Sequence, residues 1–238
     1  MITLYGTGPM LGLPHASPFA IKAELLLKLS GLPYTVARAD LRKAPRGKMP
    51  WIVDGDEVIP DSRLIKAHLE TRHGIDFTGD YAPRALGYGL AIERMLEDHL
   101  YFFSVANRWL EPDNFDHGPR QFFDAAPALI RPLIIRMVLR KVRKQVEMQG
   151  TGKLLPDERL ALVRRALDAF EAMIAGQVYL LGGRVCGFDA TAYAFLATVF
   201  APGFRSEYGD YLRRKPETLA YIERMHAEFF PDLPPLVA

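Results

Sequence analysis

A single cysteine, Cys186, is all the thiol this 238-residue chain carries. An intramolecular disulfide is therefore impossible, and a metal site built on several cysteines is excluded. An excess of one charge is also lacking. Thirty basic against 28 acidic residues leave a net +2, too little to signal nucleic acid by itself. No apolar run reaches the length of a membrane span, because Arg131, Arg136 and Arg140 interrupt the best stretch. Ile2-Thr-Leu-Tyr5 reads as a strand with no basic region ahead of it, so no secretory signal is read there. The Gly-x-Ser-x-Gly elbow of serine hydrolases is missing. His15 and His99 lack partners at metal-ligand or triad spacing and read as structural or exposed. There is no internal repeat and no low-complexity segment. These absences lead us to expect a cytoplasmic globular protein with no metal, no nucleic-acid partner and no membrane association.

What is present divides at a linker rich in Gly, Asp, Thr and Pro, from Gly74 to Pro83. Before it, Ile2–Gly6 alternates like a strand, and a Gly/Pro loop ends at Ser17-Pro18. Phe19, Ala23, Leu26 and Leu27 then recur at helical spacing until Gly31. Tyr34–Arg38 reads as a second strand. Trp51–Val53 and Glu57–Ile59 are two more, joined by an Asp-Gly turn, with a helix after them. This order predicts an α/β domain over residues 1–75. Everything after the linker reads as helix, giving an all-α domain over 84–238. It includes a long helix at Arg84–Trp109, a clean apolar stripe at Leu160, Val163, Leu167, Phe170 and Ile174, and a wholly buried helix at Asp189–Ala201. Two further helices, near Glu207–Arg214 and Glu217–Phe229, close the chain.

The stretch from Gly47 to Leu69 organises the first domain. Met49-Pro50 precedes its first strand, and Asp61 or Ser62 is placed to cap its helix. A cis bond at Pro50 would turn the Met49 main chain outward to pair with an extended peptide. Amides and a hydroxyl at Asp61-Ser62 would suit a carboxylate at a helix start. An ordinary hairpin with an ordinary cap explains the same residues. Ser17, between a loop and a helix, is either a plain N-cap or a hydroxyl available to chemistry. Tyr5, inside a strand, reads as packed. Asp189 reads as a structural capping carboxylate. The basic run from Arg131 to Lys144, interleaved with Leu133, Ile134 and Leu139, reads as a solvated face over an apolar one. A basic amphipathic helix of this kind also suits anionic membranes or acidic partners.

In order and context, Ser17-Pro-Phe19, Gly47-Lys-Met-Pro50, Asp61-Ser62 and Asp189 resemble the glutathione transferase superfamily. Gly31-Leu-Pro-Tyr34, Ala44-Pro-Arg-Gly-Lys48, Pro60-Asp-Ser62 and Cys186-Gly-Phe-Asp-Ala-Thr191 are similar to its branch of metaxins and failed-axon-connections proteins. The likeness covers nearly the whole chain. It implies a thioredoxin-like first domain and an all-helical second one, with glutathione as co-substrate between them. It implies a cis bond at Pro50, with Met49 pairing to the cysteinyl backbone of glutathione. Asp61 and Ser62 would hold the γ-glutamyl end, with electrostatic help from Lys48. Ser17 matches the catalytic position, and Asp189 the aspartate of a helix-capping box. Cys186 departs from the serine or threonine usual at that cap. A homodimer is the family expectation.

Serine at position 17 separates two chemistries. A cysteine there would form a mixed disulfide with glutathione, whereas serine cannot. Thiol activation remains. A thiol of pKa near 8.5 needs a fall of about 1.5 units to be half ionised at pH 7, roughly 2 kcal/mol. One hydrogen bond to a charged group supplies about 1.5–3 kcal/mol. Ser17 is thus expected to stabilise the thiolate that attacks a small apolar electrophile, in a pocket to which Tyr101, Phe102, Arg108 and Trp109 are candidates. The alternatives are a non-catalytic glutathione or ligand carrier, and a membrane-surface interaction module of the same fold.

Overall fold

The computed structural model describes residues 1–201 and 206–236. Residues 202–205 and 237–238, within the second expected domain, lie outside the described residues.

The first domain is a four-stranded mixed sheet with two helices. β1 (Ile2–Gly6) and β2 (Tyr34–Arg38) run parallel, connected through α1 (Pro18–Ser30). β3 (Trp51–Asp54) lies antiparallel to β1, and β4 (Glu57–Pro60) antiparallel to β3, giving the order β2-β1-β3-β4. Only two residues link β3 to β4, and Gly55 takes φ +60°, a conformation in which a Cβ is costly. α2 (Ser62–His73) follows. α1 opens with Pro18, whose missing N–H would have had no partner there, and stops at Gly31 with φ +67°. Its buried side chains, Ala20 through Ala23 and Leu25 through Leu27, surround the helix because it lies between the sheet and the second domain.

Among the described residues, the regular elements of the second domain are all helices. α3 (Pro83–Arg94) passes through a π-wound turn at Met95–Leu100 into α4 (Tyr101–Leu110), so the expected long helix is present with one wider turn inside it. α5 (Pro112–His117), α6 (Arg131–Gln149) and α7 (Pro156–Ile174) follow. α8 (Gly187–Phe200), α9 (Glu207–Leu212) and α10 (Pro216–Phe229) complete it. The stripe on α7 is buried as its spacing predicts, and α8 is buried along nearly its whole length, packed on α1. The capping carboxylate of α8 is fully satisfied. Asp189 Oδ2 accepts from the Cys186 N–H (2.9 Å) and thiol (3.3 Å), and Oδ1 from Leu180 N–H (2.8 Å) and Tyr221 O–H (2.9 Å). Burial raises its pKa.

α6 corrects one expectation. Its apolar residues do not form a covered face: only Val146 is buried, while Leu133 is 69% and Met137 62% exposed. The reason is reach. Only the carboxyl-terminal part of α6, through Val142 and Val146, meets α4 at Val105, Ala106 and Leu110.

An internal ion cluster joins the two domains. Lys22 of α1, fully buried, donates to Glu93 Oε2 (2.7 Å) on α3 and to Glu97 Oε1 (2.6 Å) in the π turn. Arg94 closes it by donating to Glu93 (2.8 Å) and Glu97 (2.6 Å), and Thr191 of α8 donates to Glu93 (2.7 Å). Phe19 adds edge-on ring contacts with Tyr101 and Phe195.

Candidate functional site

A cleft of about 180 Å³ opens where the amino end of α1 faces α4. The first domain contributes Thr7, Leu11, Ser17 and Met49; the second contributes Tyr101, Ser104, Arg108, Trp109, Phe122 and Thr198. Ser17 is the N-cap of α1 by position, with extended backbone (φ −100°, ψ 126°), and its carbonyl accepts from Ala20 and Ile21 N–H. Its hydroxyl makes no capping bond. That leaves a half-buried hydroxyl at a helix start, on a cleft wall, with no hydrogen bond among the described residues. The loop carrying it is held by Thr7, whose hydroxyl accepts from Ala16 N–H (3.0 Å) and donates to Gly8 C=O (2.9 Å).

The Met49–Pro50 peptide is cis, the geometry the resemblance implied. Among the described residues no hydrogen bond engages the Met49 main chain. Pro50 C=O accepts from Asp61 N–H (3.1 Å), which ties the start of α2 to the same corner. Asp61 has φ +72°, a strained value for a residue with a side chain, of the sort that concentrates at ligand clamps. Its carboxylate accepts from Arg63 N–H (3.0 Å). Burial works to raise the Asp61 pKa, but the hydrogen bonds from Arg63 and the charges of Arg63 and Arg46 outweigh it and hold the group low. Ser62 is 1% exposed, and its hydroxyl has no partner among the described residues. A buried hydroxyl without a partner is costly unless a ligand completes it. Lys48 is not gathered into this group. It is exposed and without ion pair or hydrogen bond among the described residues; the basic residues whose charges act on Asp61 are Arg63 and Arg46.

Three of the four expected pocket residues, Tyr101, Arg108 and Trp109, line the cleft. Phe102 instead packs edge-on against Tyr101 at 5.2 Å. The Arg108 guanidinium donates to Thr198 C=O and, at 3.5 Å, to the carbonyl of Ala16, one residue before Ser17. Burial lowers its pKa to about 10, so it stays cationic at neutral pH. Burial raises the pKa of Tyr101, whose phenol therefore keeps its proton. His15 is structural: fully buried, it accepts from Gly8 N–H at Nδ1 (3.0 Å) and sits against Gly6, where a Cβ would meet the ring at 2.5 Å. Its Nε2 lies 3.0 Å from Glu24 but off the hydrogen-bond direction. Tyr5 stacks on Trp51 at 4.7 Å. The Cys186 thiol is buried beside Asp189, both of which push its pKa up to about 12.

The reading of the sequence passed over Thr7, Ser104 and Arg46. Thr7 and Ser104 carry no motif, Arg46 stands only inside Ala44-Pro-Arg-Gly-Lys48, and their roles arise only from what the fold sets beside them. Also passed over was the trio Asp54, His68 and His73, whose side chains converge at the far end of α2.

Comparison with known proteins gives two family matches. The Glutathione S-transferase N-terminal domain matches residues 18–114, and the Glutathione S-transferase C-terminal domain matches 163–225. An isoprene-epoxide–glutathione S-transferase from Rhodococcus sp. (strain AD45) is 27% identical, over 96% of this chain and 99% of that protein. Failed axon connections from Drosophila melanogaster is 24% identical, over 92% of this chain and 56% of that protein. Among solved structures, a beta-etherase from Sphingobium sp. strain SYK-6 superposes with a TM-score of 0.68 at 18% identity, covering 97% of this chain and 99% of that one.

Proposed function

Because the chain belongs to the glutathione transferase superfamily, we propose that it binds glutathione in the Ser17–Met49 cleft and conjugates it to a small apolar electrophile. The observation that carries this reading is the Ser17 hydroxyl, which stands at a helix start, lines the cleft and makes no capping bond. The Met49 main chain pairs with the cysteinyl unit. The orphan Ser62 hydroxyl and the α2 start receive the γ-glutamyl carboxylate, where the helix dipole favours negative charge. Ser17 then donates to the thiolate, with the Arg108 cation on the same wall. One charged hydrogen bond and a helix start together cover the roughly 2 kcal/mol needed to ionise the thiol near pH 7.

In the conjugating step the sulfur lone pair forms a bond to the electrophilic carbon while the bond to the leaving atom breaks. The proton given up by the thiol restores neutrality on that atom. Leu11, Val105, Trp109 and Phe122 supply apolar walls suited to a small hydrophobic substrate. Thiol reduction is the less favoured chemistry, since Ser17 cannot form a mixed disulfide and the Cys186 thiol is buried.

The test is the ultraviolet absorbance of thiolate on adding glutathione at pH 7, in wild type and Ser17→Ala. We expect a band in wild type and its loss in the variant, with slower conjugation of a model electrophile. An equal band and an equal rate in the variant overturn the role of Ser17.

A second reading rests on α6, where Leu133 and Met137 are exposed beside Arg136, Arg140 and Lys144, and a groove of about 690 Å³ runs between arginines. This arrangement suits a non-catalytic module on an anionic membrane surface. Binding to anionic vesicles that disappears when the three cations are neutralised supports it; no vesicle binding removes it.

A further inference from the structure

At the opposite end of α2 from Ser62, three side chains from two elements meet. Asp54 closes β3 at the turn of the hairpin, and His68 and His73 lie in the last two turns of the helix. A 12-residue helix spans roughly 18 Å at about 1.5 Å per residue, so this end is well removed from the cleft corner. Asp54 Oδ2 is 2.9 Å from His68 Nε2 and 2.6 Å from His73 Nε2, and the three donor atoms all lie within 4.8 Å of one another. The side chain of His68 is 10% exposed, that of Asp54 15% and that of His73 26%. The cluster is therefore sheltered on one side and reachable on the other.

We propose that Asp54, His68 and His73 form a binding site for a divalent transition-metal ion of the zinc class. Two imidazole nitrogens and one carboxylate oxygen match the donors such ions prefer, and imidazole disfavours Mg²⁺ and Ca²⁺. The geometry is close to what the ion needs. With bonds of about 2.0–2.1 Å, tetrahedral ligands stand about 3.3 Å apart, so each Asp54–His pair opens by roughly half an ångström. The second ring nitrogen of His68, Nδ1, faces Glu57 Oε2 at 3.9 Å, where a small movement gives the carboxylate partner that commonly orients a metal-bound imidazole. Water fills the fourth position. The rival explanation is a metal-free clasp in which Asp54 accepts from both imidazoles, and it makes opposite predictions.

Tag-free full-length protein, stripped with chelator and exchanged into metal-free buffer, is titrated with Zn²⁺ against a chromophoric chelator and with Co²⁺ by visible absorption. We expect one equivalent to bind, a tetrahedral-type Co²⁺ band and a rise in Tm with Zn²⁺. His73→Gln, at the most exposed ligand, is expected to bind at least about tenfold more weakly and to lose the Tm response, while conjugating activity stays at the wild-type level. Glu57→Gln is expected to weaken binding by about tenfold or more and to leave the apo Tm unchanged. Failure of Zn²⁺ to raise Tm, or equal affinity in wild type and His73→Gln, overturns the site and leaves the clasp. Neither outcome depends on glutathione binding.

Discussion

Lys22 Nζ lies 2.7 Å from Glu93 Oε2, a fully buried ammonium of the first domain against a carboxylate of the second. Breaking one partner of a buried pair leaves the other charge in a medium that cannot solvate it, at about 3–5 kcal/mol. Lys22→Ala is therefore expected to lower unfolding stability by that amount, measured from urea midpoints, with a less cooperative transition as the domains uncouple. A loss below about 1 kcal/mol contradicts the assignment. The pH dependence has a definite sign. Burial acts to raise the Glu93 pKa, but Lys22, Thr191 and Arg94 bring it down to about 2 from an ordinary 4.5. A carboxyl held low in the fold contributes stability above its ordinary value, and the contribution fades as pH falls toward 2. Wild type should lose stability through that window, and Lys22→Ala should lose less.

Ser62→Ala separates a binding group from a structural one. The hydroxyl has no partner among the described residues, so its removal deletes no hydrogen bond seen there and is expected to leave Tm unchanged or slightly raised. Glutathione affinity should fall by about tenfold or more, the value of a hydrogen bond to a carboxylate. Calorimetry and thermal unfolding on the same sample check both halves. Unchanged affinity with lowered Tm assigns Ser62 to the fold alone.

Much of this was legible in the residues, because local chemistry decides it. Asp54-Gly55 makes a hairpin wherever alternating residues flank it, and the spacing from Leu160 to Ile174 leaves one buried face. What escaped was anything decided by residues far apart in sequence. Nothing beside Lys22 in the chain marks it for burial; its partners lie 71 and 75 positions on. Leu133 reads as part of an apolar face under the basic run, yet it is exposed. Asp54, His68 and His73 match no spacing pattern, because one comes from a strand and two from a helix. In the cleft, Ser17 and Met49 were picked out by the order of their motifs. Thr7, Ser104 and Thr198 needed the fold itself.

Asp189 offers a graded test of the α8 cap. Its carboxylate serves two buried amides, a phenol and a thiol, so Asp189→Ala strands several donors at about 1–3 kcal/mol each. Asp189→Asn keeps one oxygen acceptor and should cost less. Burial raises the Asp189 pKa, and a carboxyl raised in the fold gains relative stability as pH falls. Acid should therefore not release this cap, and the gap between wild type and Asp189→Asn should widen toward low pH, because only wild type takes up the proton. Denaturant titrations at neutral and acidic pH measure it. A gap that narrows in acid contradicts the raised pKa.

Arg108 is the cation on the cleft wall beside Ser17, with its guanidinium on the carbonyls of Ala16 and Thr198. A unit charge about 5–6 Å from a thiolate contributes roughly 3 kcal/mol at an effective dielectric constant near 20, and less where water enters the cleft. Replacement by Gln keeps donors for the two carbonyls and removes the charge. The thiol of bound glutathione should then ionise about one pH unit higher. Below that value conjugation should slow by about tenfold, and at high pH it should approach the wild-type rate. A general loosening of the domain interface would instead lower the rate at every pH. The acid limb of the pH–rate profile at saturating glutathione distinguishes the two, and a limb that does not move assigns Arg108 to packing.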